Sequence, residues 1–183
     1  MGEAGLGRPG SGRFTVTRVL AGDIDIYNGE QQTLSMEETA RPLTLEAPTN
    51  AVSRLRVDLH TPLRVKRDNK FQRQISFPTL ARAAMRRVAA LEHAFGAGEP
   101  ALDFAGLARK ADQIIVADDQ TAWCDVTRYS SRQQTAMQIG GVVGSIVFAG
   151  ELTDFLPLLR YCEKTHLGKQ TAFGLGSIEV TPL

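Results

Sequence analysis

The order of the hydrophobic patterns predicts an α+β chain built on a ferredoxin-like βαββαβ domain. From residue 53 onward the apolar spacing runs strand, helix, strand, strand, helix, strand. That order folds into an antiparallel four-stranded sheet with both helices on one face. Upstream, Pro48-Thr49-Asn50 reads as a linker that sets off a weakly patterned first 50 residues. The length of 183 residues, 43% hydrophobic and 22% charged, suits one such domain plus a fragment of another.

Each element has its own signal. The first dozen residues hold five of the 17 glycines and predict a loop. Short β-like stretches follow at Phe14–Leu20, Ile24–Tyr27 and Pro42–Glu46. Val52–Leu59 alternates apolar and polar side chains, a half-buried strand with arginines on its outer face, and Thr61-Pro62 is expected to end it. The basic segment up to Gln74 reads as an exposed loop. Pro78-Thr79 opens a helix whose apolar stripe is Leu80, Ala83, Ala84, Val88, Leu91 and Phe95, with Gly96 as its stop. Residues 103–112 suit a short second helix. Ala122–Tyr129 and Val142–Ala149 read as a pair of strands. Leu152–Thr165 is a helix, with Thr153 or Asp154 as cap and Pro157 in its first turn. A glycine-rich loop, Gly168–Gly176, leads into a final strand at Ser177–Thr181.

The formal charge of +1 conceals a strong segregation. Residues 53–87 carry ten basic and two acidic side chains, whereas residues 19–50 and 88–127 are each acidic by five charges. A local excess of this size attracts polyanions even in a neutral protein, and its arginine bias suits forked contacts to phosphate. A solvated face paired with the acidic blocks is the plainer alternative. Two cysteines exclude a disulfide framework and a four-cysteine zinc site, and suit a reducing, cytoplasmic setting. No apolar run approaches the roughly 18 residues of a membrane helix, so no membrane partner is expected. No His/Cys/Asp spacing reads as a metal site, and no cofactor motif is present. A Walker A loop would need glycine where Glu163 stands, and a dinucleotide fingerprint would need one where Glu179 stands.

The loop Gly168–Gly176 therefore stands on its own chemistry. Glycines let the backbone approach a ligand and expose N–H groups to phosphate oxygens. Lys169 adds a cation and Phe173 a ring. The same string also suits a tight helix-to-strand turn with Phe173 in the core.

Several strings taken together resemble a known family. Arg128-Tyr129-Ser130-Ser131-Arg132-Gln133, Gly140-Gly141-Val142-Val143-Gly144, Phe155-Leu156-Pro157-Leu158-Leu159, His166-Leu167-Gly168-Lys169 and Phe173-Gly174-Leu175-Gly176 occur in order. They are similar to the C-terminal domain of CRISPR-associated repeat-processing endoribonucleases, the "Cas six" family of the RAMP superfamily. Thr61-Pro62-Leu63-Arg64-Val65-Lys66 and the helix with Arg86-Arg87 fit the same pattern. The resemblance implies a duplicated ferredoxin-like fold and binding of the repeat in precursor CRISPR RNA. It also implies metal-independent cleavage, in which the 2′-hydroxyl attacks the adjacent phosphate to leave a cyclic phosphate and a 5′-hydroxyl. Residues 53–183 correspond to the C-terminal RAMP domain. Residues 1–50 are expected to be a remnant of the N-terminal ferredoxin-like domain, with Gly5-Leu6-Gly7 and Arg13-Phe14-Thr15-Val16 as its glycine loop and a last strand.

On this reading His166, which titrates near neutrality beside the glycine loop, is the acid/base candidate, and Lys169 is the cation for the phosphate. Arg64, Lys66, Arg67, Arg128, Ser130, Arg132, Gly168, Gly174 and Gly176 are the candidate RNA contacts. His60 is a weaker one. His93 and Trp123 are expected to be structural. The expected partners are CRISPR repeat RNA, a CRISPR effector complex, and either a second copy or a chain supplying the rest of the first domain. Two other readings remain: a non-catalytic repeat-binding subunit, and a regulatory domain binding a small anion at the glycine loop.

Overall fold

The computed structural model describes residues 12–21, 23–35, 42–67, 69–130 and 134–183, with only the backbone of Ser130. The chain divides into two compact units, Met1–Leu43 and Thr44–Leu183. The first unit holds an antiparallel sheet of β1 (Arg18–Ala21), β2 (Ile24–Asn28) and β3 (Thr33–Leu34). Its apolar side chains Val19, Leu20, Ile24 and Leu34 are exposed. Gly5-Leu6-Gly7 lies outside the described residues. The strand expected at 42–46 does not form; that stretch is irregular.

The second unit runs β4 (Arg54–Leu63), β5 (Lys66–Arg67), β6 (Lys70–Phe71), α1 (Phe77–Phe95), α2 (Phe104–Ala111), β7 (Ile115–Cys124), β8 (Thr127–Ser130), β9 (Thr135–Gln138), β10 (Gly141–Ala149), α3 (Leu156–Thr165) and β11 (Ile178–Pro182). The main sheet has the order β11-β4-β10-β7, antiparallel throughout. With α1 and α3 as its crossovers this is the βαββαβ ferredoxin-like arrangement that the pattern predicts. Alternation in β4 explains the layering. Leu55, Val57 and Leu59 are buried against the helices, while Arg54, Arg56 and His60 face outward. Ile146 and Phe148 of β10, Ile178 and Val180 of β11, and Leu158, Leu159 and Cys162 of α3 complete the core. Phe77 anchors it, with its ring edge-on to Phe148 at 5.0 Å and to Phe155 at 4.9 Å.

Four expectations need correction. The strand read at 122–129 starts earlier, at Ile115, and pairs with β10 along its length from Gly141↔Cys124 to Ala149↔Ile115. It is a mostly exposed edge strand in which even Ile115 and Val116 lie at the surface, so backbone pairing and not burial of an apolar face defines it. Thr127–Ser130 instead pairs with β9 in a small separate hairpin. Thr61-Pro62 does not end β4. Pro62 sits beyond the last β11 partner, Leu59, and at the register shift of β10, so the N–H it lacks falls where the ladder is already irregular. Phe95, expected on the buried stripe, is 86% exposed, as the C-terminal residue of α1. Thr153 and Asp154 do not cap α3: the Thr153 hydroxyl accepts from the Val52 N–H at 2.9 Å, and Asp154 pairs with Lys110. Among the described residues no helix is long and apolar enough to cross a membrane.

Candidate nucleic-acid interface

The glycine loop is built around an unusual residue. His166 ends α3 at φ 58° and ψ 159°, a conformation that is almost restricted to glycine. Three contacts hold it there. The fully buried Leu167 donates its N–H to the Gly176 carbonyl at 2.8 Å and closes the loop. The Gly176 N–H reaches the Pro62 carbonyl at 3.2 Å. The His166 ring places Nδ1 at 3.1 Å from the Leu175 carbonyl. A carbonyl only accepts, so Nδ1 is the protonated nitrogen, and the neutral ring keeps its lone pair on Nε2.

The glycines divide into two kinds. Gly168 and Gly176 both have positive φ, and a Cβ there would sit 2.7 Å from the Arg64 carbonyl and 1.8 Å from the Leu167 carbonyl. Their close approach is to the chain's own backbone. Gly174, at φ 79°, has open space where a Cβ would be among the described residues. Phe173 is half exposed and lies outside the core.

Arg64 organises the basic side of this loop. Its carbonyl accepts the Lys169 N–H at 2.8 Å. Its guanidinium donates to the Gln138 carbonyl of β9 and to the Gln170 side chain at 3.3 Å, and lies 3.9 Å above the Phe71 ring. Lys66 approaches the same ring at 4.8 Å. Across the loop, the Arg128 guanidinium of β8 sits 4.3 Å above Phe173. The end of β4, the β5–β6 hairpin, the β8–β9 hairpin and the glycine loop are thereby gathered at one end of the sheet. Cations alternate with exposed rings there, a surface chemistry suited to a single nucleic-acid strand.

Of the sequence-predicted residues, His166, Lys169, Gly168, Gly174, Gly176, Arg64, Lys66 and Arg128 meet at this end. Arg67 is on β5, on the side toward α1. The Ser130 side chain and Arg132 lie outside the described residues. His60 is on the outer sheet face, paired with Glu179 at 3.0 Å. That face also carries the ion pair Arg56–Asp58 at 3.0 Å. Trp123 is part-buried against the core, donates to Asp125 at 2.7 Å and has Arg73 4.9 Å from its ring. His93 is exposed on the last turn of α1. Sequence reasoning missed Phe71, Gln138 and Gln170. Phe71 had a signal, an aromatic residue set between Lys70 and Arg73 in a basic run. The two glutamines had none, because only the folded chain brings β9 and the loop to Arg64.

The family of the CRISPR-associated endoribonuclease Cas6 matches residues 57–178 of this chain, two thirds of its length. The chain belongs to the Cas6 family. A Cas6 product complex is 17% identical with a TM-score of 0.52, over 73% of this chain and 53% of that one. Thermus thermophilus Cas6 is 13% identical with a TM-score of 0.56, over 75% and 56%. A partial Cas6-RT-Cas1–Cas2 complex is 13% identical with a TM-score of 0.55, over 87% of this chain and 29% of that one. At these identities the likeness is one of fold. The chain spans about half the length of the Cas6 structures it matches. No curated protein matches it. The Cas6 match covers β4 to the start of β11, and so includes every residue gathered around the glycine loop.

Proposed function

We propose that this Cas6-family chain binds the repeat of precursor CRISPR RNA across the glycine-loop end of its sheet and cleaves it there. One observation carries the reading: His166, with Nδ1 anchored on the Leu175 carbonyl, stands beside the cation–aromatic rim of Arg64, Phe71, Lys169, Phe173 and Arg128. The 2′-hydroxyl attacks the neighbouring phosphorus, and the bond to the departing 5′-oxygen breaks, leaving a cyclic phosphate and a 5′-hydroxyl. His166 Nε2 accepts the proton of the attacking 2′-hydroxyl, solvent protonates the departing 5′-oxygen, and the Leu175 carbonyl holds the ring in place through Nδ1. Lys169 and Arg64 offset the charge that builds on the phosphorane. The open face of Gly174 admits the sugar-phosphate backbone. Metal independence belongs to this proposal, as do a cytoplasmic setting and partnership with a CRISPR effector complex.

The test uses labelled repeat RNA with the full 183-residue chain in EDTA. Cleavage leaving a cyclic phosphate, lost by 10²–10⁴-fold in His166→Ala with RNA affinity kept, is the expected result. Cleavage that stops with the chelator overturns the metal-independent mechanism. The exposed apolar residues of β1–β3 favour a second reading: a repeat-binding subunit completed by a second copy or by another chain. Tight, salt-sensitive repeat binding without cleavage at any pH selects it.

A further inference from the structure

The end of α3 that leads into His166 is closed from another helix. The last carbonyls of a helix have no partner within it, and the N–H groups of the residues that follow commonly satisfy them. Here two of those N–H groups are used elsewhere: Leu167 donates to the Gly176 carbonyl and Lys169 to the Arg64 carbonyl. Arg87 of α1 instead donates from its guanidinium to the carbonyl of Thr165, the last residue of α3 and 78 positions away in the chain. A cation there also suits the negative end of the helix dipole. The contact is part-buried, and Arg87 Nε is buried with no hydrogen-bond partner among the described residues. Burial pushes the Tyr161 phenol and the Cys162 thiol of α3 up to about 12, and the Arg87 charge acts on both in the opposite sense, which places it within the α1–α3 packing.

The Thr165 carbonyl belongs to the peptide unit that joins Thr165 to His166. Holding that carbonyl holds the plane from which His166 departs at φ 58°. A backbone in so sparse a region persists only where its surroundings over-determine it. The contacts already described act on the loop that leaves His166 and on its ring. Arg87 acts on the peptide that enters it.

We infer that Arg87 is a positioning residue for His166: through the Thr165 carbonyl it sets the backbone that keeps the ring on the Leu175 carbonyl, with Nε2 turned to the reacting 2′-hydroxyl. The inference rests on the cleavage reading above. In it Arg87 touches neither the RNA nor the reacting atoms, so RNA affinity should not depend on it.

Arg87→Met is the main variant, since it keeps the apolar stem and removes both the donor and the buried, unpaired Nε. Arg87→Gln replaces it if circular dichroism shows it unfolded. Arg87→Lys restores a donating cation. Tyr161→Phe is the control: it removes the 2.7 Å bond to Glu92, elsewhere between α1 and α3, and leaves the Thr165 carbonyl untouched. Two readouts are taken on the full chain. Nitrogen-15 shifts of the His166 ring, recorded without RNA at about pH 8.5 where imidazole is neutral, report which nitrogen carries the proton. Single-turnover cleavage of saturating labelled repeat RNA in EDTA, with affinity from fluorescence anisotropy, reports the reaction. The expected result is a ring protonated at Nδ1 in wild type and Tyr161→Phe, and a shift toward protonation at Nε2 in Arg87→Met. Cleavage by Arg87→Met should be roughly 10- to 100-fold slower with Kd within about twofold, and Arg87→Lys should recover most of both readouts. Wild-type ring shifts and cleavage in Arg87→Met overturn the inference and leave the cleavage reading standing. An equal loss in Tyr161→Phe also overturns it, because Arg87 would then be one packing contact among others. A cleavage loss that tracks a weaker Kd overturns it in favour of direct RNA contact. Altered ring shifts with unaltered cleavage, or a wild type that does not cleave, overturn the role of His166 and this inference with it.

Discussion

Replacing Gly176 and Gly174 by alanine, one at a time, separates the two kinds of loop glycine. Both residues have nearly the same backbone, φ 74° and φ 79°. Both substitutions therefore carry the left-handed penalty of about 1–2 kcal/mol. A gain of about 0.4–1 kcal/mol from the stiffer unfolded chain offsets part of it. Gly174→Ala has open space for the methyl group, so its net cost should stay near 1 kcal/mol. Gly176→Ala would put Cβ at 1.8 Å from the Leu167 carbonyl, which must move. That movement breaks the Leu167 N–H to Gly176 carbonyl bond and the Gly176 N–H to Pro62 carbonyl bond. Two buried backbone hydrogen bonds add about 1 kcal/mol each, for a total of about 3 kcal/mol. Urea unfolding followed by far-UV circular dichroism measures both. Gly176→Ala should also loosen His166, since Leu175 and Leu167 flank the bonds that hold it. Equal destabilisation of the two variants, within about 0.5 kcal/mol, would refute the assignment of Gly176 to backbone packing.

Three further outcomes follow from the packing and charges. Phe77→Ala, which removes the ring shared by Phe148 and Phe155, should cost about 3–5 kcal/mol in the same unfolding experiment. Burial pushes the Cys162 thiol up to about 12, and burial together with the Glu92 hydrogen bond does the same to the Tyr161 phenol. Both groups are protonated in the folded chain where the unfolded chain ionises, so stability is complete below pH 9 and falls as pH rises toward 12; Cys162 contributes about 1.4 kcal/mol per pH unit, and Cys162→Ala should flatten the alkaline limb. Phe71→Ala should weaken RNA binding by about 1 kcal/mol through lost stacking, read by anisotropy, without changing the unfolding midpoint by as much as Phe77→Ala.

The fold was largely legible in the residues because its core elements bury one face each. The alternation of β4 and the 3.6-residue stripe of α1 are direct records of that burial, and they sufficed for the βαββαβ order. β7 was misplaced for the converse reason. It lies at the sheet edge with a mostly exposed sequence, and its position is set by hydrogen bonds to β10, which leave no mark on side-chain choice. The short hairpins β5–β6 and β8–β9 escape the pattern for the same reason, and the periodicity of α1 does not show that its final residue, Phe95, turns to the surface.

Local chemistry alone determined the βαββαβ class, the concentration of cations in residues 53–87, and the glycine loop beside His166. These are properties of neighbours in the chain. Tertiary structure decided which side each group serves. It turned Gly168 and Gly176 inward onto the backbone and left Gly174 open. It drew Gln138 and Gln170 onto Arg64 from 74 and 106 residues away in the chain. It also split one basic run, sending Arg64 and Lys66 to the glycine-loop rim and Arg87 to the end of α3. Sequence spacing specifies which faces are apolar, but the meeting of distant segments depends on how those faces pack, and only the packed sheet sets that geometry.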